Sequence, residues 1–181
     1  IMAGYYKEPE MTKAVIGDDS WFHTGDAGLI EPEGQLKITG RKKAIFKTSM
    51  GKYINPEIME NVFKESPFID SIIVVGENQK YAAALIVPDF TFLKSYCKVK
   101  GITYTTDEEM VNNLVLRRRF QVEIDKYNMQ FGSYEQIKQF ELLGNEWTVD
   151  DGELTASLKM RRSFICEKYR PVLNKMFRIE G

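Results

Sequence analysis

The sequence predicts an α+β fold: a small domain with a short antiparallel or mixed sheet flanked by helices, preceded by a strand-rich tail. Three observations carry this. Two apolar runs rich in β-branched residues, Ile72–Val75 and Tyr81–Val87, are separated only by residues 76–80, a length that suits an antiparallel hairpin. Segments with helical periodicity and cap residues surround that hairpin without alternating with strands in a βαβ order. Residues 21–47 break into short strand-like pieces joined by turns.

In chain order, residues 1–20 read as irregular, with turns at 7–10 and 17–20 and no strong 3.6-residue period. Residues 21–47 then give two or three short strands, the clearest being Gln35–Thr39 after the turn residues 31–34. A helix opens at Asn55 as N-cap with Pro56 at its first position. Ile58, Met59, Val62 and Phe63 make its apolar stripe, and Pro67 stops it. After the hairpin, Asp89 caps a short helix that ends near Gly101. Thr106 and Glu109 form a capping-box pattern before a longer helix, whose apolar face runs through Val111, Leu114, Val115, Phe120, Ile124 and Tyr127. A strand follows around Ile137–Leu142. A last helix starts near Lys159, turns Phe164 and Ile165 inward, and kinks or restarts at Pro171.

Composition narrows the function classes. At 181 residues the chain is long enough for one good-sized domain or a small domain plus a fragment. Apolar residues at 43% and charged residues at 28% are those of an ordinary globular protein. A net charge of −1 makes no case for nucleic acid or an anionic membrane. The longest apolar run is far too short for a transmembrane segment. Ile1 to Gly4 show no signal-peptide pattern. Cys97 and Cys166 lack CxxC spacing and suit a reducing compartment, so a cytoplasmic location is expected. His23 is the single histidine, which argues against a histidine-based metal site or a Ser/His/Asp triad.

Polar signals concentrate between Trp21 and Glu60. Thr24-Gly25-Asp26, the cations Arg41 to Lys43, and the loop Met50-Gly51-Lys52 lie close in sequence beside strands and a helix start. Such a set makes the edge of a pocket for a polyhydroxyl or phosphate ligand, or else a surface hairpin with solvated charges. Asp26 is either a carboxylate that accepts from two adjacent hydroxyls or an Asx-type turn residue. Arg41 either meets the same ligand or is a solvated loop charge. Gly51 either leaves room for a ligand or serves a turn. Lys159 is a solvated lysine at the start of a basic helix unless a ligand meets it. Arg117, Arg118 and Arg119 read as an exposed helix face, with attraction of phosphates as the other reading.

The ordered motifs go further. GYYKEPEMT (4–12), HTGDAG (23–28), GQLKITGRKKAIFK (34–47), GKYINPE (51–57) and GELTASLKMRR (152–162) occur in that order. Together they resemble the adenylate-forming superfamily of acyl-CoA synthetases, luciferases and peptide-synthetase adenylation domains, and within it the AMP-forming long-chain fatty acyl-CoA synthetases. The resemblance covers nearly the whole chain.

It implies that residues 1–40 are the tail of a large N-terminal adenylation domain and 41–181 a small mobile C-terminal domain. The parent enzyme would use ATP and magnesium to convert a fatty acid to acyl-AMP, and coenzyme A would then displace AMP. By resemblance, Asp26 and Arg41 bind the nucleotide ribose, Lys43 is the hinge, Gly51 lines the coenzyme A channel, and Lys159 is catalytic in adenylate formation. Two positions depart from relatives: Tyr53 stands where some acetate-activating enzymes have a phosphate-binding arginine, and Leu158 stands where the superfamily usually has glycine. Long-chain members commonly have leucine there as well.

No glycine-rich Ser/Thr loop with lysine and no GxGxxG occurs, nor an apolar stretch that builds an acyl tunnel. The expectation is therefore about the last third of such an enzyme, inactive alone, with the magnesium ligand elsewhere and the parent cytoplasmic or peripheral at a membrane. Alternatives are another adenylate-forming enzyme (medium-chain, aryl or fatty acyl-AMP ligase) and a non-catalytic nucleotide- or partner-binding module of the same fold.

Overall fold

The computed structural model describes residues 2–41 and 44–178, with residues 39–41 described through their backbone alone. The chain forms two compact units, residues 1–45 and 46–181.

In the first unit, helix α1 (Pro9–Val15) precedes an antiparallel hairpin of β1 (Asp26–Ile30) and β2 (Leu36–Arg41). α1 corrects the irregular reading of residues 1–20. Pro9 lies in its first turn, where a missing N–H costs nothing. The helix buries no residue, and without a buried face there is no apolar period to read.

The second unit holds the core. A short antiparallel pair, β3 (Phe46–Lys47) and β4 (Tyr53–Ile54), leads into α2 (Pro56–Phe63). Strands β5 (Ile69–Val75), β6 (Ala82–Pro88) and β7 (Ile137–Leu142) form a sheet in that order. β6 is antiparallel to β5 and parallel to β7. The connection between β6 and β7 carries α3 (Phe90–Lys100), α4 (Asp107–Asn112) and α5 (Leu114–Asn128). After β7 come α6 (Arg162–Lys168) and α7 (Arg170–Phe177). The architecture is the expected α+β with a mixed sheet, and every residue of β6 is buried.

The cap residues work locally. Asn55 Oδ1 accepts from the Ile58 amide at 3.4 Å, and Asp89 Oδ1 from the Phe92 amide at 2.8 Å. Gly101 ends α3 at φ 66°, the left-handed conformation that glycine adopts without penalty. Thr106 Oγ1 accepts from the Glu109 amide at 3.1 Å, but Glu109 reaches back to the Thr105 amide at 2.7 Å and not to the Thr106 amide of a standard box.

Three helix expectations need correction. The longer helix is two helices, because Asn113 leaves helical geometry and its Oδ1 caps α5 through the Val115 amide at 2.9 Å. An asparagine stabilises a helix start better than a helix interior. Leu114 and Val115 are then exposed, and the buried stripe of α5 is Leu116, Phe120, Glu123, Ile124 and Tyr127. In α2 the buried stripe is Pro56, Met59, Glu60 and Phe63, with Ile58 exposed and Glu60 inside. The last helix starts at Arg162, not Lys159, and buries Ile165 while leaving Phe164 exposed; it does restart before Pro171.

Phe63 is fully buried and its ring meets Tyr127 and Phe131 at centroid distances of 5.9 and 6.0 Å. Leu114, by contrast, is 72% exposed. In denaturant unfolding of the chain, Phe63→Ala is expected to cost about 3–5 kcal/mol and Leu114→Ala no more than about 0.5 kcal/mol. Equal effects would contradict these helix faces.

Candidate functional site

The first unit presents Asp26 at the head of β1. Its amide donates to Thr24 Oγ1 at 3.0 Å across Gly25, which has φ 74°. The β1–β2 ladder sets Asp26 opposite Arg41, so the two ribose-binding candidates occupy facing positions of one hairpin. Asp26 is exposed. Lys43, the hinge candidate, lies outside the described residues.

The second unit presents Gly51 and Lys159. Gly51 sits in the turn between β3 and β4, where its amide donates to the Thr48 carbonyl at 2.9 Å. Buried Thr48 ties the turn further, its Oγ1 accepting from the Lys52 amide at 3.2 Å. Gly51 has φ 79°, and a Cβ there would meet nothing nearer than Lys47 Cε at 3.9 Å. Within this unit the glycine answers to backbone conformation and not to space. Cation–aromatic pairs flank it: Lys47 Nζ lies 5.6 Å from the Tyr53 ring, and Lys52 Nζ lies 5.5 Å from that of Tyr134.

Lys159 stands on a tight hairpin ahead of α6. Leu154 and Met160 form an antiparallel bridge, and the Thr155 amide donates to the Lys159 carbonyl at 2.9 Å. The Lys159 amide donates to Thr155 Oγ1 at 3.1 Å, and the Leu158 amide to the Thr155 carbonyl at 2.8 Å. Leu158 takes φ 58°. A left-handed leucine costs on the order of 1–2 kcal/mol, and glycine would adopt the turn freely. Lys159 itself is exposed and closes the turn opposite Thr155.

Buried carboxylates, which the motif spacing did not single out, hold the base of this hairpin. Glu153 is buried in its first arm and accepts from Lys168 Nζ of α6 at 2.5 Å. That bond, first among its causes, raises the Lys168 pKa above its usual value. Glu60, buried in α2, accepts through Oε1 from Arg162 Nη2 at 2.6 Å and from the Val74 amide at 2.7 Å. Arg162 Nη1 also donates to the Val74 carbonyl at 2.8 Å. β5 is an edge strand, so a carboxylate and a guanidinium here do what a neighbouring strand would do for Val74. A signal for Glu60 was present in the sequence: residues 56, 59, 60 and 63 follow the i, i+3, i+4, i+7 pattern of a buried helix face.

The three arginines of α5 differ. Arg117 forks onto Glu141 at 2.7 and 3.1 Å, and Arg119 pairs with Glu123 while stacking 4.8 Å from the Phe68 ring centre. Arg118 is exposed on a cleft of about 790 Å³ that also holds Lys138, Lys175, Glu108 and Glu141. Arg117, paired with Glu141, lines the same cleft. Among the described residues no group of three or more His, Cys, Asp and Glu could hold a metal ion.

The sequence profile described as AMP-binding enzyme C-terminal domain matches residues 43–180. Long-chain-fatty-acid–CoA ligase 5 of Mus musculus is 33% identical over 180 residues, which are 98% of this chain and 26% of that protein. The peroxisomal long chain acyl-CoA synthetase 7 of Arabidopsis thaliana is 32% identical over the same shares of both chains. The chain thus spans about a quarter of the length of the curated relatives it matches. Among solved structures, the adenylation domain of a carboxylate reductase from Mycobacterium chelonae superposes with a TM-score of 0.79 at 24% identity, over 97% of this chain and 26% of that one. The corresponding domain from Segniliparus rugosus, bound to AMP and a carboxylic acid, gives 0.79 at 24%, over 98% and 26%. Both likenesses concern the fold.

Burial, opposed by the Arg162 charge, raises the Glu60 pKa above 4.5. Folded Glu60 therefore keeps its proton to higher pH than the unfolded chain does. Between the two pKa values the folded state binds more protons, so this group's contribution to stability falls as pH rises and levels off above the folded pKa. The unfolding free energy of wild type minus that of Glu60→Gln is expected to decline as pH rises from about 4.5 and then flatten, measured by denaturant unfolding in a pH series. A difference that rises over that window would contradict the assignment.

Proposed function

The chain belongs to the family of AMP-binding enzyme C-terminal domains, and from that premise we propose that it is the C-terminal portion of an AMP-forming long-chain fatty acid–CoA ligase. The observation that carries this reading is the Lys159 hairpin: an exposed lysine closing a bonded turn, within the GELTASLKMRR motif. The identity of 32–33% to long-chain ligases over 98% of the chain supports the acyl class.

In this reading the reaction has two steps. A fatty acid attacks the α-phosphate of ATP to give acyl-AMP and pyrophosphate, and coenzyme A then displaces AMP to give the thioester. Lys159 places a positive charge between the carboxylate and the α-phosphate as negative charge redistributes between them. Asp26 holds the ribose hydroxyls by charge-assisted hydrogen bonds, and Arg41 opposite it supports the same ribose. Magnesium, when bound, neutralises phosphate charge from ligands outside this segment. Residues 1–40 serve as the tail of the large domain and 41–181 as the mobile small domain, with Lys43 as the pivot. Rotation about the pivot exchanges Lys159 for the Gly51 loop, which then lines the coenzyme A channel.

Two outcomes are expected. The 181-residue chain alone supports neither ATP–pyrophosphate exchange nor thioester formation, and robust fatty-acid-dependent turnover by it would overturn the fragment reading. In the full-length protein, Lys159→Ala slows acyl-adenylate formation by at least ~10²-fold and spares thioester formation from synthetic acyl-AMP. Lys43→Pro does the reverse, because proline fixes φ and stiffens the pivot. Each variant is assayed for both half-reactions after a check of folding, and equal loss of both steps in both variants would refute the division of labour.

A further inference from the structure

The arm of the hairpin that leaves Lys159 has little slack. Met160 is bridged to Leu154, and the Arg161 amide donates to the Glu153 carbonyl at 2.7 Å. The next residue is Arg162, whose guanidinium spans Glu60 Oε1 at 2.6 Å and the Val74 carbonyl at 2.8 Å. Glu60 is held in turn by the Val74 amide at 2.7 Å, so Arg162, Glu60 and both backbone groups of Val74 close one ring. The other arm is fixed by Glu153 and Lys168. Every link between the sheet edge and the lysine is therefore bonded.

We propose that Arg162 is a positioning residue for Lys159: its fork, seated on Glu60 and Val74, fixes the direction in which the hairpin leaves the sheet and so the point to which the ammonium is delivered. The inference rests on the reading of Lys159 as the group that acts in adenylate formation. A planar fork suits the task because it meets two acceptors at once, whereas an ammonium is a single point charge. Lysine at this position keeps the charge beside buried Glu60 but gives up the second contact. A misplacement of about 1 Å at a reacting group can cost ~10²-fold in rate.

The test compares wild type, Lys159→Ala and Arg162→Lys in the full-length protein, together with amide hydrogen exchange on the 181-residue chain. Arg162→Lys is expected to lower kcat for adenylate formation about tenfold or more. KM for ATP and the rate of thioester formation from synthetic acyl-AMP should stay within about twofold. In the isolated chain the Leu158 and Lys159 amides should exchange faster in Arg162→Lys, while the Leu85 amide in the core keeps its protection. A slow Lys159→Ala with a normal Arg162→Lys overturns this inference alone. Equal loss of both half-reactions in Arg162→Lys, with uniform loss of protection, also overturns it and leaves Arg162 as a stabilising residue. Lys159→Ala with normal adenylate formation overturns the functional reading and this inference with it. Should Arg162→Lys fail to fold, Glu60→Ala takes its place, since it removes the acceptor on which the guanidinium is seated and leaves it the Val74 carbonyl alone. A selective loss of adenylate formation in that variant supports the inference, and a normal rate or an equal loss of both steps overturns it.

Discussion

Everything in the second unit depends on a strand that no water reaches. Successive side chains of a strand point to opposite faces, so β6, buried at all its residues, demands cover on both. Its two neighbours satisfy its backbone by different routes. β5 reaches it through a short turn, while β7 runs parallel and needs a long crossover, which α3, α4 and α5 supply. The sheet then has an edge at β5, and the Glu60–Arg162 pair satisfies the Val74 backbone on it. The lysine hairpin is thus mounted on the edge of the same small sheet that organises the core.

Much of this was legible in the sequence wherever a local rule decides the outcome. Asn55, Asp89 and Gly101 mark helix ends because caps and left-handed glycines act within a few residues. The β5–β6 hairpin was legible because its apolar runs are short, β-branched and closely spaced. The strand around Ile137–Leu142 was legible too. The failures have different causes. Glu60 is buried because Arg162, far along the chain, meets it, and no local rule foretells that partner. Leu114 is exposed because Asn113 restarts the helix and rotates its buried face away. α1 escaped notice because it buries nothing.

The candidate site was legible as words more than as geometry. The motifs named Asp26, Arg41, Gly51 and Lys159, and the ladder adds that the first two face one another. What the motifs do not carry is why each stands as it does. Gly51 is required by a positive φ in a turn closed by Thr48, a constraint visible only once the turn is seen. The basic neighbours of Lys159 suggest a helix start, yet the Thr155 hydroxyl and carbonyl draw this stretch into a hairpin turn. Leu158 takes a left-handed conformation in that turn, at some cost in strain that glycine would not bear.

The parallel pairing of β6 with β7 also bears on how the chain reaches this structure. β5, β6 and the preceding α2 can meet through local contacts, but β7 arrives only after the three helices of the crossover have been threaded between. Until then one edge of β6 is unpaired, and that strand, AAALIVP, is apolar throughout. An uncharged open edge of this kind recruits other chains. Lys80, two residues before the strand, and Pro88 and Asp89 at its far end bracket this stretch with residue types that resist further strand addition.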